Sequence, residues 1–259
     1  MNQSALERDV TLLQRAPMLA ACRDGPVGRS GIAEEAGCSR TTAYRATTDL
    51  TDRGLLEQVD GGYRLTGLGR TALDSIERFH AEVEGARHLE PVLAHVDAAE
   101  LREHMHLFAD ATVMEASPEA PYAIERHVES VIAEVSERIH GISNSFGSPA
   151  VLSQIVDRVE AGVDFEWAFP EAVHERIERQ QSEHDARLSA QDNTTVYVVE
   201  DVVVDVSLFD DTLVLAGFDD RGTLGSVAIT DDSDAVAWAQ ELIERYCERG
   251  TLLPSGASL

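Results

Sequence analysis

Between residues 30 and 65 the hydrophobic period changes twice, and this limits the possible folds more than any other feature of the chain. In SGIAEEAGCSRTTAYRATTDLTDRGLLEQVDGGYRL, Ile32, Ala33 and Ala36 share one face of a short helix. Gly37 stops it, because glycine enters the left-handed C-cap conformation without steric cost. Ser39 then stands as N-cap of a helix from Arg40 to Arg53, closed by Gly54. Beyond it Leu55, Glu57 and Val59 alternate, Asp60-Gly61-Gly62 supplies a tight turn whose central positions favour positive φ, and Tyr63, Arg64 and Leu65 return. Two helices joined by a turn of about three residues, with a hairpin following at once, predict a helix-turn-helix carrying a wing.

The flanking segments extend this unit. Leu6, Val10 and Leu13, then Met18, Leu19 and Cys22, predict one helix interrupted or kinked near Pro17. Thr66 caps a helix reaching about Leu89, with Leu68, Leu73, Ile76, Phe79 and Val83 on one stripe. It is longer than a wing domain needs for packing, so it is expected to connect two domains and to pair with its counterpart in a dimer. After Pro91 the pattern predicts helices at 98–108 and 121–137, a strand from Ile139 to Ser143, a helix at 149–161, a strand at 163–169 and a helix at 171–190. Strands in TVYVVE, VVVDVSLF, TLVLAGF and LGSVAIT follow, and a helix from Ser233 to about Arg249 ends the pattern. The expected fold is α+β with an α/β part: a winged helix over 1–66, a connector helix over 67–90, and a mixed α/β sheet domain over 91–259.

Charge divides the chain in the same way. Its 47 acidic residues face 21 basic ones for a formal net charge of -26, all 21 are Arg, and Lys is absent. Such usage fits a proteome adapted to high salt, where the Debye length shrinks to about 3 Å and self-repulsion costs little. Up to residue 70 nine Arg balance nine acidic residues, whereas 12 Arg face 38 acidic residues beyond it. Any contact with nucleic acid is therefore expected in the neutral N-terminal segment. The most apolar region, 196–218, is broken by Glu200, Asp201, Asp205, Asp210 and Asp211, so no membrane span is expected. The N-terminal MNQSALERDVTLLQRAP lacks the pattern of a signal peptide, and a cytoplasmic protein is expected. Cys22, Cys38 and Cys247 match neither a disulfide framework nor a metal-binding pair and are read as buried free thiols.

The 40–53 helix carries the chemistry. Ser39, Arg40, Thr41, Thr42, Tyr44 and Arg45 cluster in its first two turns, the part that enters a major groove, while Ala43, Ala46 and Leu50 face the core. Arg can grip guanine bidentately, Thr can donate to phosphate or touch a thymine methyl, and Tyr44 offers a phosphate hydrogen bond. Gly61 and Arg64 in the wing and Arg29 before the second helix are the expected backbone contacts. Binding that relied on counterion release would collapse at high salt, so base contacts and dimer geometry are expected to dominate. The alternative is a protein-interaction or coregulator module that uses the winged helix without specific DNA binding.

The run from Gly31 to Leu73, with AEEAGCSRTTAYRATTDLTDRGLLE and GGYRLTGLGRTAL, resembles the winged-helix domain of archaeal transcriptional regulators, and the Lys-free acidic composition points to the haloarchaeal branch. Residues 212–250, TLVLAGFDDRGTLGSVAITDDSDAVAWAQELIERYCERG, resemble the effector domain of methanogenesis regulatory proteins of the FilR1 type, distantly similar to TrmB-like sugar-responsive regulators. The resemblance implies a dimeric repressor or activator with a ligand or signal domain on a phospholipase D-like fold. Phospholipase D catalysis needs paired His-x-Lys motifs, which a chain without Lys cannot supply, so the domain is expected to be catalytically inert. No Walker loop, dinucleotide-binding glycine pattern or GxSxG elbow occurs, and His104-x-His106 lies in a helical pattern that would separate the two rings, so neither cofactor nor metal is expected. Ligands of α/β sheets bind outside the carboxyl ends of strands, which makes Ser143, Asn144 and Ser145, and Glu200 with Asp201, the candidate effector contacts. The expected partners are double-stranded DNA, a second copy of the chain and a small-molecule effector.

Overall fold

Proline and capping residues set the N-terminal elements. The computed structural model describes residues 2–96, 99–145, 147–180, 182–219 and 222–253. Helices α1 (Gln3–Gln14) and α2 (Ala16–Ala20) are separate, because the chain breaks at Arg15 and Pro17 sits in the first turn of α2, where a missing N–H costs nothing. Helix α3 (Arg29–Glu35) ends before Gly37, whose φ of +62° gives the left-handed stop read from the sequence. Ser39 accepts a hydrogen bond from the Thr42 backbone N–H at 3.1 Å and so starts α4 (Arg40–Asp52).

Strands β1 (Leu56–Val59) and β2 (Gly62–Leu65) pair antiparallel, with Val59 opposite Gly62, so Asp60 and Gly61 form the loop. Positive φ falls at Gly61 (+96°) and Gly62 (+144°) and not at Asp60, which departs from the turn read from the sequence. Gly62 is needed twice over. Val27 exchanges two backbone hydrogen bonds with Tyr63, both 2.9 Å, and a Cβ at Gly62 would stand 2.4 Å from the Val27 carbonyl. Leu19, Ile32, Ala43, Leu50, Leu56 and Leu73 form the core of this unit. Thr66 Oγ1 accepts from the Gly69 N–H at 3.0 Å and so caps α5 (Gly67–His88). The chain divides into two compact units between Ala81 and Glu82, inside α5.

The second unit continues with α6 (Glu90–Leu93), β3 (Thr112–Glu115), α7 (Ala123–Glu134), β4 (Arg138–Ile142), α8 (Pro149–Glu160) and β5 (Asp164–Pro170). It goes on through α9 (Glu171–Gln180), α10 (Ser182–Ser189), β6 (Thr194–Val199), β7 (Asp205–Phe209), β8 (Thr212–Phe218), β9 (Leu224–Thr230), α11 (Ser233–Arg249) and β10 (Thr251–Leu252). Among the described residues the strands form one sheet in the order β10-β6-β5-β4-β7-β8-β9-β3. The pairs β4–β5 and β5–β6 are parallel and the rest antiparallel, a mixed sheet. Alternation along the strands divides the core. Ile142, Val206, Leu208, Leu213 and Leu215 pack with Trp238, Leu242 and Tyr246 of α11, whereas Ile139, Phe165, Trp167 and Phe209 pack with α7, α8 and α9.

Two expectations fail in this unit. The predicted 98–108 helix starts at residue 98, outside the described residues, and the part described is a series of turns with a 3-10 turn only at Met105–Phe108. Local tertiary packing overrides helical propensity there: Leu101 and Phe108 are buried, and the His104 ring lies 5.5 Å from Trp238. The expected 171–190 helix is helical on both sides of residue 181, which lies outside the described residues, over Glu171–Gln180 and Ser182–Ser189. The strand in VVVDVSLF begins only at Asp205, and Val202 and Val204 are buried without joining the ladder. Strand β3 was missed, since its four residues are half-exposed or exposed and carry no alternation. Among the described residues no helix is long and apolar enough to cross a membrane.

Candidate nucleic-acid interface and ligand pocket

The helix periodicity of α4 separates its two faces. Ala43, Ala46, Thr47 and Leu50 are buried, while Ser39, Arg40, Thr41, Thr42, Tyr44 and Arg45 are exposed together on the other side. Ser39 contributes as a cap, and its hydroxyl also lies 2.8 Å from that of Thr42. Tyr44 keeps 54% of its surface exposed.

Most other arginines around this face are already paired. Arg15 and Arg53 share Asp49, the second at 3.1 Å, Arg23 bonds Glu77, and Arg64 meets Glu57 across the hairpin at 2.8 Å. Arg40 and Arg45 pair with no acidic side chain among the described residues, so they are the cations α4 offers to an incoming polyanion. The register of the hairpin explains Arg64, because Glu57 is its direct cross-strand neighbour. Gly61 is at the exposed tip of the hairpin.

Arg29 occupies a position that sequence reading did not foresee. Its Nε donates to Thr47 Oγ1 at 3.2 Å, and its guanidinium carbon lies 4.4 Å from the Tyr44 ring centre and 5.1 Å from that of Tyr63. Cation–π attraction to two rings and one hydrogen bond fix this side chain between α3, α4 and β2. No local pattern signals the arrangement, since each partner is 15 or more residues from Arg29 in the chain.

In the second unit a cavity of about 290 Å³ lies beside α8, with Ser143, just past the carboxyl end of β4, and Asp205, at the amino end of the antiparallel β7, in its lining. Its walls are mainly apolar, including Val128, Leu152, Ile155, Trp167, Phe209 and Val227, with Ser143, Ser145, Asp205 and Ser207 at one side and Glu125 at another. Gly141, opposite Trp167 in the β4–β5 register, makes this wall possible, because a Cβ there would stand 2.6 Å from the indole. Phe165 stacks on the same ring at 5.5 Å.

Asp205 organises the polar side. Its Oδ1 accepts from the Ser143 hydroxyl and from the Asn144 N–H at 2.7 Å, while the Ser143 hydroxyl accepts from the Ser145 N–H at 2.9 Å. Burial pushes the Asp205 carboxyl above its ordinary value, against these donors, which act to lower it. Of the expected effector contacts, Ser143 and Ser145 line the cavity, whereas Asn144 faces an adjoining polar cavity of about 220 Å³ with His95 and Arg176. Glu200 and Asp201 are exposed and line neither. Asp205, Trp167 and Gly141 were missed as site residues, although an Asp amid the valines of VVVDV was a visible signal.

His104 and His106 do not converge. His104 packs on Trp238, and His106 Nδ1 lies 2.7 Å from Glu82. Among the described residues no group of three or more His, Cys, Asp and Glu is placed to hold a metal ion. Cys22 and Cys247 are buried, and burial pushes their thiols up to about 11 and about 12, whereas Cys38 is only half-buried.

Residues 121–249 match the family described as methanogenesis regulatory protein FilR1, middle domain, and residues 3–88 match the HVO_A0261 N-terminal domain. The chain is linked, distantly, to archaeal proteins of the FilR1 type. No curated protein matches it. Among solved structures it is similar to TrmBL2, an archaeal chromatin protein described with a novel mode of DNA binding, at 14% identity over 92% of each chain and a TM-score of 0.43. It is also similar to the phospholipase D family member Nuc from Salmonella typhimurium, at 17% identity over 56% of this chain and 99% of that one, TM-score 0.46. NucT from Helicobacter pylori gives 14% identity over 55% and 98%, TM-score 0.47.

Proposed function

We propose that this chain is a DNA-binding transcriptional regulator of a high-salt archaeon. A winged helix reads the major groove through α4, and a small molecule in the C-terminal cavity controls binding. The observation that carries the reading is the exposed α4 face, where Arg40 and Arg45 pair with no acidic side chain among the described residues, in a segment up to residue 70 whose nine Arg balance nine acidic residues. Two such cations can specify base edges or hold phosphates without the broad basic surface that molar salt would defeat. The match of residues 121–249 to a domain of a regulatory protein supports the same reading. The absence of Lys supports a catalytically inert second domain.

The regulator acts as a homodimer, with two α4 helices addressing half-sites about 34 Å apart. Leu6, Val10 and Leu13 of α1 are 43%, 44% and 40% exposed at helical spacing, and Phe79 of α5 is 57% exposed, which supports pairing with a second copy through this unit. Occupation of the cavity shifts the population of dimer geometries and hence the half-site spacing presented.

The test is binding of the full chain to its own upstream DNA and to random DNA at molar salt. Specific binding lost in Arg40→Ala with Arg45→Ala, with folding retained, is the expected result. Equal affinity for both DNAs in the unsubstituted chain would refute operator reading.

A further inference from the structure

The apolar cavity holds two carboxylates, Asp205 and Glu125, and no basic side chain among its described lining residues. We propose that it binds a small organic amine, with the ammonium on Asp205 and the hydrocarbon body against Leu152, Ile155 and Trp167. This rests on the effector reading above and specifies the chemistry of the ligand.

Charge excludes the other common classes. A carboxylate or phosphate would meet two like charges with no cation among the described lining residues to receive it. A sugar would bring several hydroxyls to a wall that is mostly hydrocarbon and would leave them unsatisfied. Asp205 itself calls for a cation. Its bonds from Ser143 and Asn144 come from neutral donors, and no Arg or His forms an ion pair with it among the described residues. A carboxylate withdrawn from water gains from a charge-assisted partner more than an exposed one does. Trp167, Phe209 and Phe218 add ring faces on which an ammonium is favoured.

The adjoining polar cavity does not reverse this. Arg176 there donates to the Asn144 carbonyl at 3.3 Å, and Asp205 and Asp219 face the same space, so that side offers no net positive site. At about 290 Å³ the apolar cavity lies at the small end of ligand sites, which start at roughly 300 Å³, so a single ring or a short chain fits.

The experiment is calorimetric titration of the full chain at pH 7 in molar KCl with three probes of one shape: cyclohexylmethylamine, cyclohexylmethanol and cyclohexanecarboxylate. The amine is expected to bind at least about tenfold tighter than the alcohol, and the carboxylate not to bind. Asp205→Asn should bring amine and alcohol within about twofold of each other, and Arg176→Ala should leave the amine affinity within about twofold. The comparison among probes uses the unsubstituted chain, so it stands even where Asp205→Asn fails to fold. Equal binding of amine and alcohol would overturn the amine assignment while leaving the cavity a ligand site. Heat from none of the three would overturn the amine assignment and the effector reading together.

Discussion

The guanidinium carbon of Arg29 lies 4.4 Å from the centre of the Tyr44 ring. This contact ties the first residue of α3 to the exposed face of α4, and the Tyr63 ring adds the β1–β2 hairpin. An arginine held between two rings and bonded to Thr47 has little freedom to reach for a phosphate. Its consequence is positional, since it fixes where Tyr44 stands on the surface that α4 presents.

A lysine keeps the charge of Arg29 but loses the planar stacking and the Nε bond. Arg29→Lys and Arg29→Ala are therefore expected to weaken specific DNA binding by similar amounts, about three- to tenfold, the scale of a cation–π contact. Fluorescence anisotropy across a salt series checks this. The salt slope should stay unchanged in both variants, whereas a direct phosphate contact would lower it by about one and would be largely preserved in Arg29→Lys.

Gly62 combines φ of +144° with a Cβ position 2.4 Å from the Val27 carbonyl. Gly62→Ala must break the Val27–Tyr63 bridge or strain the hairpin, at a cost of about 2–4 kcal/mol. Gly67, at the start of α5, has open space at its Cβ position and no positive φ, so Gly67→Ala is expected to be neutral or to stabilise by up to about 1 kcal/mol. Denaturant unfolding of the two variants side by side separates strain from a general intolerance of alanine.

What the sequence made legible follows from how local each signal is. Gly37, Ser39 and Thr66 act on residues three or four away, and the stop and caps they predict are present. Strands β8 and β9 and helix α11 have the read boundaries because turns or an N-cap bound each of them. The failures are non-local. The described part of the 98–108 segment, 99–108, is shaped by contacts with α11, more than a hundred residues later, and β3 pairs only with β9 among the described residues. The same holds for the sites. The polar face of α4 is a matter of helical period, so Arg40 and Arg45 could be named, but the cavity depends on Gly141 lying across from Trp167, a register no single sequence states.

Asp210 is the only described non-glycine residue at positive φ, +50°, and its carboxylate accepts from the N–H groups of Ser136, Glu137 and Arg138 at 2.8, 2.9 and 2.9 Å. Burial acts to raise its pKa, but the donors outweigh burial and hold the carboxyl below its ordinary value. A depressed folded-state value means the stabilisation is present above the ordinary carboxylate range of about 3.9 and is lost as pH falls through the lower folded value. Asp210→Ala is expected to cost about 1 kcal/mol at neutral pH, at the low end for charged hydrogen bonds because the site is partly exposed. Stability curves of the two proteins should converge as pH falls below the lowered folded-state value, and a gap that stays constant with pH would show the effect to be conformational alone.

Gly141→Ala tests the architecture of the cavity without touching its polar side. A methyl group 2.6 Å from the Trp167 ring cannot be accommodated, and the adjacent Phe165 blocks one direction of retreat. The indole must shift toward the cavity that it walls, at an overpacking cost of about 1–3 kcal/mol. Amine affinity should fall by at least about tenfold, while DNA binding by the other compact unit, measured without ligand, should stay within about twofold of the unsubstituted chain. Trp167→Phe removes one ring of the indole and makes room for the added methyl. The double variant Gly141→Ala with Trp167→Phe should therefore be more stable than the sum of the single effects predicts, by about 1 kcal/mol or more in a double-mutant cycle. Additive losses would mean that the two residues do not share the contact, and that the wall of the cavity is held in some other way.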